Sequence, residues 1–285
     1  MTESVQKPII ILGTHRSGTT FLGGVLSHHP DVAFWEEPRH VWVYGNTYKP
    51  DDILTAEDAH PKVVSHIRKE FAKFLRKSGK ARFTEKTPSN CLRIGFIREV
   101  FPDALFVHIY RDGRAVVRST RQVNTGTPDA KWIFKRLFGM PIWEWPSLVP
   151  RAIRTFGARF SGEKMSFWGP MPPGWREWLE NDTQLVMLAK QWRYTIEPIL
   201  DARDSFQASQ WLDLSYESFM FEPEQSIVRI MDFAGLKHSE EVIEHVRETI
   251  DPGRKDKWRD ELTEEELRDL EPILRGTVER MGYEW

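Results

Sequence analysis

Apolar positions along the 285-residue chain fall into two kinds of run. Short continuous runs, Pro8-Ile9-Ile10-Ile11-Leu12 and Ala104-Leu105-Phe106-Val107-His108-Ile109-Tyr110, have the pattern of strands buried on both faces. Longer stretches repeat at helical spacing. Val64, Ile67, Phe71, Phe74 and Leu75 share one face, with Pro61 suited to the first turn and Gly79 to the end. Leu185, Leu188, Trp192, Ile196 and Ile199 predict a second long helix. Further helices are predicted over Thr19–Ser27, around Leu92, Ile97 and Val100, from Arg114 to about Val123, and over 223–234 and 239–249. Thr263 and Glu266 form a capping-box signature for a last helix. Further strands are predicted over 31–35, 82–86 and 211–216, whereas 40–60 and 251–261 read as loops. This alternation predicts an α/β fold, with a mainly parallel central sheet flanked by helices in one domain over 1–285. The stretch 125–180 breaks the pattern. It is rich in Pro, Gly and Trp, carries six of the 12 tryptophans between Trp132 and Trp178, and reads as an irregular insert or short helices.

Composition changes this picture little. Apolar content of 40%, charged content of 29% and a formal net charge of -2 fit a soluble globular protein. They give no global support for a nucleic-acid partner, so any anion site must be a local cluster. The single cysteine, Cys91, excludes an intramolecular disulfide and fits a reducing compartment. The start of the chain reads as neither a signal peptide nor a membrane span, so the expectation is a cytoplasmic protein without a transmembrane segment.

The chemistry concentrates where the first strand meets the first helix. Gly13, four residues, then Gly18-Thr19-Thr20 has the spacing of a phosphate-binding loop, but Thr19 stands where a triphosphate-gripping lysine belongs. Backbone N–H groups and a helix N-terminus still suit an anion, and Arg16 supplies a cation whose planar fork matches phosphate or sulfate. A triphosphate enzyme also wants magnesium, held by an acid at a strand end. The strand over 104–110 ends in Arg111 instead, which predicts a short 5′ anion and no essential metal. Arg111 and Ser119, across the next strand-to-helix turn, form a candidate second phosphate site at the same sheet edge.

Taken in order, Arg16-Ser17-Gly18-Thr19-Thr20 and Arg111-Asp112-Gly113-Arg114 through Ser119 resemble the sulfotransferase family, whose fold is related to that of P-loop nucleoside triphosphatases. Glu85-Lys86-Thr87-Pro88 followed by Phe101-Pro102-Asp103-Ala104 matches a pattern of bacterial members. Tyr216-Glu217 and Phe233-Ala234-Gly235-Leu236 resemble the family's late strand and helix. The resemblance covers about 8–123 and 205–260, and its motifs are similar to those of the protein-tyrosine sulfotransferases. Lone Cys91 departs from the disulfide-bearing, membrane-anchored members of that group. The resemblance implies 3′-phosphoadenosine 5′-phosphosulfate as donor, with the first motif on the 5′-phosphosulfate and the second on the 3′-phosphate. It implies sulfuryl transfer to a hydroxyl of a carbohydrate, small metabolite, lipid or tyrosine.

Such a transfer needs a base for the acceptor proton and cations for the leaving oxygen. Glu37 is the expected base, with Glu36 and His40 as alternatives, and Arg16 and Lys86 are the expected cations. The donor-binding set is Arg16, Ser17, Gly18, Thr19, Thr20, Arg111 and Ser119, with Tyr216 against the nucleotide and Arg254 and Lys257 on a late basic loop. His108, in mid-strand, reads as a packed core histidine. The Trp-rich insert is the expected acceptor side, since indole faces stack on sugars, aromatic rings or lipid chains. Two other functions fit parts of the pattern. One is a P-loop kinase, opposed by Thr19. The other is a nucleotide-binding module without catalysis, opposed by the combination of Glu37, Arg16 and Lys86.

Overall fold

The computed structural model describes residues 5–125, 167, 169–250 and 258–285. Its centre is a five-stranded sheet: β1 (Ile9–Leu12), β2 (Val32–Glu36), β3 (Arg82–Lys86), β4 (Leu105–Tyr110) and β5 (Trp211–Ser215). The spatial order is β2-β3-β1-β4-β5, and every pairing is parallel. The apolar runs therefore became interior strands, as continuous hydrophobicity requires when helices cover both faces. Alternate side chains serve two cores. Ile10, Leu12 and Phe106 point into one, and Ile9, Ile11 and Val107 into the other.

Helices α1 (Thr19–Ser27), α9 (Pro223–Ala234) and α10 (Glu240–Thr249) cover the second core. The first core is covered by α3 (Pro61–Ser78), α4 (Ile94–Val100), α5 (Gly113–Thr125), α7 (Gln184–Arg203) and α12 (Glu264–Arg280). The described chain also forms α2 (Arg39–Trp42), α6 (Trp175–Asn181), α8 (Tyr216–Phe221) and α11 (Trp258–Glu261). Among the described residues, no helix is long and apolar enough to cross a membrane.

Helix ends follow local chemistry. Pro61 opens α3, and Gly79 closes it in the left-handed conformation at φ 69°. Thr263 accepts a hydrogen bond from the Glu266 N–H, and Glu266 accepts one from the Thr263 N–H, so the capping box at α12 is formed. Four expectations are corrected. The 40–60 stretch holds α2 and a 3-10 turn over Ala56–Asp58. The helix expected around 92–100 is split into a 3-10 turn, Pro88–Leu92, and α4, because Arg93 leaves helical geometry at φ -137° and sends its guanidinium to buried Asp52. The last strand stops at Ser215, whose hydroxyl caps α8, so Tyr216 begins a helix instead of ending a strand. In the expected loop over 251–261, residues 258–261 are helical. Of the Trp-rich insert, 126–166 and 168 lie outside the described residues, as do Arg254 and Lys257.

Candidate active site

All five strands end at one edge of the sheet, and each expected site residue in the described chain closes a strand there, follows a strand end, or lies on the helix that starts there. The loop after β1 carries Arg16 to Thr20. Its shape depends on two glycines. A Cβ on Gly13 would sit 2.4 Å from the Ile109 carbonyl oxygen of β4. A Cβ on Gly18, at φ 97°, would sit 2.7 Å from the Tyr216 ring. Buried Ser17 donates its hydroxyl to the Thr14 carbonyl at 2.6 Å, which tightens the turn. Gly18 precedes α1 without a side-chain cap, so the first N–H groups of that helix face the loop mouth. Thr19 is buried and Thr20 exposed at this mouth.

Arg16, Arg111, Ser119 and Tyr216 converge beside the loop. Arg16 Nε donates to Ser119 Oγ at 3.1 Å. Arg111 Nη1 reaches the Arg16 carbonyl at 3.4 Å, and its guanidinium carbon lies 4.2 Å from the Tyr216 ring centre. Arg16 thus stands between Arg111 and Ser119, the two residues expected to hold the second phosphate. Among the described residues neither arginine has a carboxylate within ion-pair distance, and buried Arg111 Nε has no hydrogen-bond partner. Desolvation first, and the like charge of Arg111 second, hold the Arg16 pKa below the ordinary arginine value. Two cations that repel each other beside an uncapped helix start have the chemistry that suits an anion.

The second cluster lies at the ends of β2 and β3. Glu37 Oε1 pairs with Lys86 Nζ at 2.9 Å, and Glu37 Oε2 with Arg39 Nε at 3.1 Å. Lys86 is almost fully buried, so it is aimed rather than solvated. The Glu37 N–H also donates to the Lys86 carbonyl at 2.8 Å. Of the three candidate bases, Glu37 is the one joined to Lys86. Glu36 is exposed, and His40 packs edge-on against Trp35. Burial lowers the His40 pKa most, with Glu70 opposing and His66 adding to that shift. Among the described residues three non-glycine residues have left-handed backbone, and two of them are Arg16 (φ 63°) and Glu37 (φ 52°). His108 is buried, and its Nδ1 lies 2.7 Å from Asp213 Oδ1 on β5, as a packed core histidine should be.

Several supporting residues escaped the sequence reading. Asp112 binds the Arg114 guanidinium through both oxygens and accepts from the Arg114 N–H at 2.9 Å, which fixes the turn into α5. Arg114 in turn stacks on Trp258 and Trp285. Glu217 accepts from the Tyr283 hydroxyl at 2.6 Å, pinning α8 beneath Arg111. Arg39 was visible in Glu36-Glu37-Pro38-Arg39 as a charge two residues from Glu37. Tyr283 gave no signal, since its partner lies 66 residues earlier.

Comparison with known proteins gives the same picture. A model for the sulfotransferase family matches residues 8–139 and 152–240. Protein-tyrosine sulfotransferase A of Caenorhabditis elegans is 21% identical over 308 residues, 97% of this chain and 67% of that protein. The Drosophila melanogaster protein-tyrosine sulfotransferase is 30% identical over 125 residues, 40% of this chain and 25% of that protein. Two solved structures share the fold. The sulfotransferase domain of the Synechococcus olefin synthase aligns with TM-score 0.57 at 18% identity, covering 100% of this chain and 98% of that domain. The sulfotransferase domain of the curacin biosynthetic pathway aligns with TM-score 0.59 at 12% identity, covering 98% and 99%.

Proposed function

Because the chain belongs to the sulfotransferase family and is an enzyme of sulfuryl transfer, we propose that it uses 3′-phosphoadenosine 5′-phosphosulfate as donor, with Glu37 as base. Arg16, Gly18, Thr19 and Thr20 line the place for the 5′-phosphosulfate, and Ser17 shapes their loop. Arg111 and Ser119 take the 3′-phosphate. Tyr216, stacked under Arg111, sits against the nucleotide. By the resemblance, Arg254 and Lys257, outside the described residues, add charge for the 3′-phosphate.

In the reaction the acceptor hydroxyl gives its proton to Glu37 as its oxygen bonds to sulfur. The bond from sulfur to the 5′-phosphate oxygen breaks in line, and adenosine 3′,5′-bisphosphate leaves. Lys86 and Arg16 meet the charge that grows on the leaving oxygen. The ion pairs from Lys86 and Arg39 hold the Glu37 carboxylate by both oxygens and so orient it. The acceptor is a hydroxyl compound, a carbohydrate, small metabolite, lipid or tyrosine, and the Trp-rich insert is its side of the site.

The observation that carries this reading is the Arg16–Ser119–Arg111 cluster at the start of α1, charged and without a carboxylate partner among the described residues. Adenosine 3′,5′-bisphosphate is expected to raise the melting temperature without magnesium, and Arg111→Ala to weaken that response. Response to ATP–magnesium with none to the bisphosphate would overturn the donor assignment in favour of a kinase. Turnover is measured by screening sugar, phenol, lipid and tyrosine-peptide acceptors with labelled donor. Glu37→Gln should keep bisphosphate affinity and lower turnover by about 10²–10⁴-fold. Full activity in that variant would remove Glu37 from the role.

A further inference from the structure

Glu85 precedes Lys86 on β3, and its side chain is fully buried on the opposite face of the strand. The transfer scheme gives it no part. Three donors nevertheless converge on its two oxygens. Oε2 accepts from the Trp42 indole N–H at 3.1 Å and from the Thr87 hydroxyl at 2.8 Å, and Oε1 accepts from Asn90 Nδ2 at 2.6 Å. They come from α2, the strand end and the 3-10 turn that follows. Burying a carboxylate is expensive, and an apolar side chain of similar volume would pack there without that cost. Desolvation pushes the Glu85 pKa up to about 7, against the pull of the Trp42 and Thr87 hydrogen bonds and the charges of Lys86 and Arg93. What a carboxylate offers and an apolar group does not is direction.

The direction matters because of what Trp42 ends. The segment 37–42 begins at Glu37, whose N–H is tied to the Lys86 carbonyl. It finishes at Trp42, whose ring is wedged against Phe71 at 5.0 Å and whose indole N–H is held by Glu85. Both ends of a six-residue segment are thus fastened to adjacent residues of one strand. Glu37 is itself the first of those anchors, and it holds a left-handed conformation that it would not adopt by preference. Were the Trp42 end released, relaxation of that backbone would draw the Glu37 carboxylate away from Lys86.

We infer that Glu85 is a positioning residue for sulfuryl transfer, clamping the segment 37–42 onto β3 so that Glu37 meets Lys86. This rests on Glu37 being the base. It predicts a defect in the chemical step and none in nucleotide binding, because the Arg16–Arg111 cluster hangs from β1 and β4 instead.

Three variants test it, assayed with the acceptor found in the screen above. Glu85→Met removes all three acceptor contacts and should lower kcat by on the order of 10–100-fold, the scale of a small misplacement of a reacting group. Its donor KM and bisphosphate Kd should stay within about twofold, since uniform binding is untouched. Trp42→Phe keeps the packing, loses only the indole donor, and should shift kcat in the same direction. The pair combined should be no worse than Glu85→Met alone, because both cut the same link. Glu85→Gln should recover most of the kcat. Its carbonyl can still accept from Trp42 and Thr87, and its amide can donate to Asn90 Oδ1, which is buried without a partner among the described residues. If Glu85→Met does not fold, Trp42→Phe and Glu85→Gln decide the matter. Wild-type kcat in Trp42→Phe, or bisphosphate affinity lost in step with kcat, would overturn the inference. A wild-type protein that binds bisphosphate yet transfers to none of the acceptors would overturn the transfer scheme itself, and this with it.

Discussion

At the scale of single residues, the site is governed by close approach. Gly18 is the clearest case, because it combines φ 97° with a ring so close that an added Cβ would clash with it at 2.7 Å. Gly18→Ala should destabilise the protein by about 1–3 kcal/mol through backbone strain and weaken bisphosphate binding. Adding Tyr216→Ala should return the steric part of the loss and leave the conformational part, which thermal melts and calorimetric titration would separate. Residue-level chemistry was the most legible layer of the sequence. Arg16, Arg111 and Ser119 could be found because motif spacing reports which side chains leave a strand end together. Glu85 stood in a recognised motif, yet nothing in its spacing distinguished a buried clamp from a solvated acid. Only burial and the three converging donors do so.

Elements were legible where the hydrophobic period was long. The apolar face of α3, bounded by Pro61 and Gly79, gave a helix whose ends match the observed Pro61–Ser78. Short elements failed, because four to six residues cannot show a helical period. α2, α8 and α11 are held by tertiary contacts instead: Trp42 by Glu85, Glu217 by Tyr283, and Trp258 by Arg114. α12 offers a test at this scale. Its capping box is reciprocal and exposed, and Glu266 also pairs with Arg121. Thr263→Ala should cost about 1 kcal/mol in urea unfolding and leave bisphosphate affinity unchanged, since α12 contributes no group to the anion site. A larger loss, or any change in affinity, would mean that α12 supports the site through α5.

For the whole molecule, two buried groups set opposing dependences of stability on pH. Burial, then the charge of Arg16, lowers the His15 pKa to about 3 from its ordinary 6.5. Unfolded chains bind that proton first, so this contribution is complete above pH 6.5 and is lost as pH falls towards 3. Glu85 acts in the other sense. Raised from 4.5 to about 7, it favours the fold below pH 4.5 and withdraws that support as pH rises to 7. Urea midpoints of Glu85→Gln relative to wild type should therefore improve steadily between pH 4.5 and 7. His15→Asn should gain on wild type as pH falls from 6.5 towards 3. A difference independent of pH in either variant would contradict the assignment of that group. A mainly parallel sheet was predictable from strand runs alternating with helices, but the strand order was not, because crossovers leave no local mark. Backbone torsion left no mark either, and Arg16 and Glu37 show what it implies. Each left-handed non-glycine residue costs about 1–2 kcal/mol, and glycine would fit both places more comfortably. Durability and chemistry thus make contrary demands on those two positions. In a lineage that no longer needed the reaction, drift towards glycine there would be the earliest sign of retirement, appearing while the surrounding architecture still looked intact.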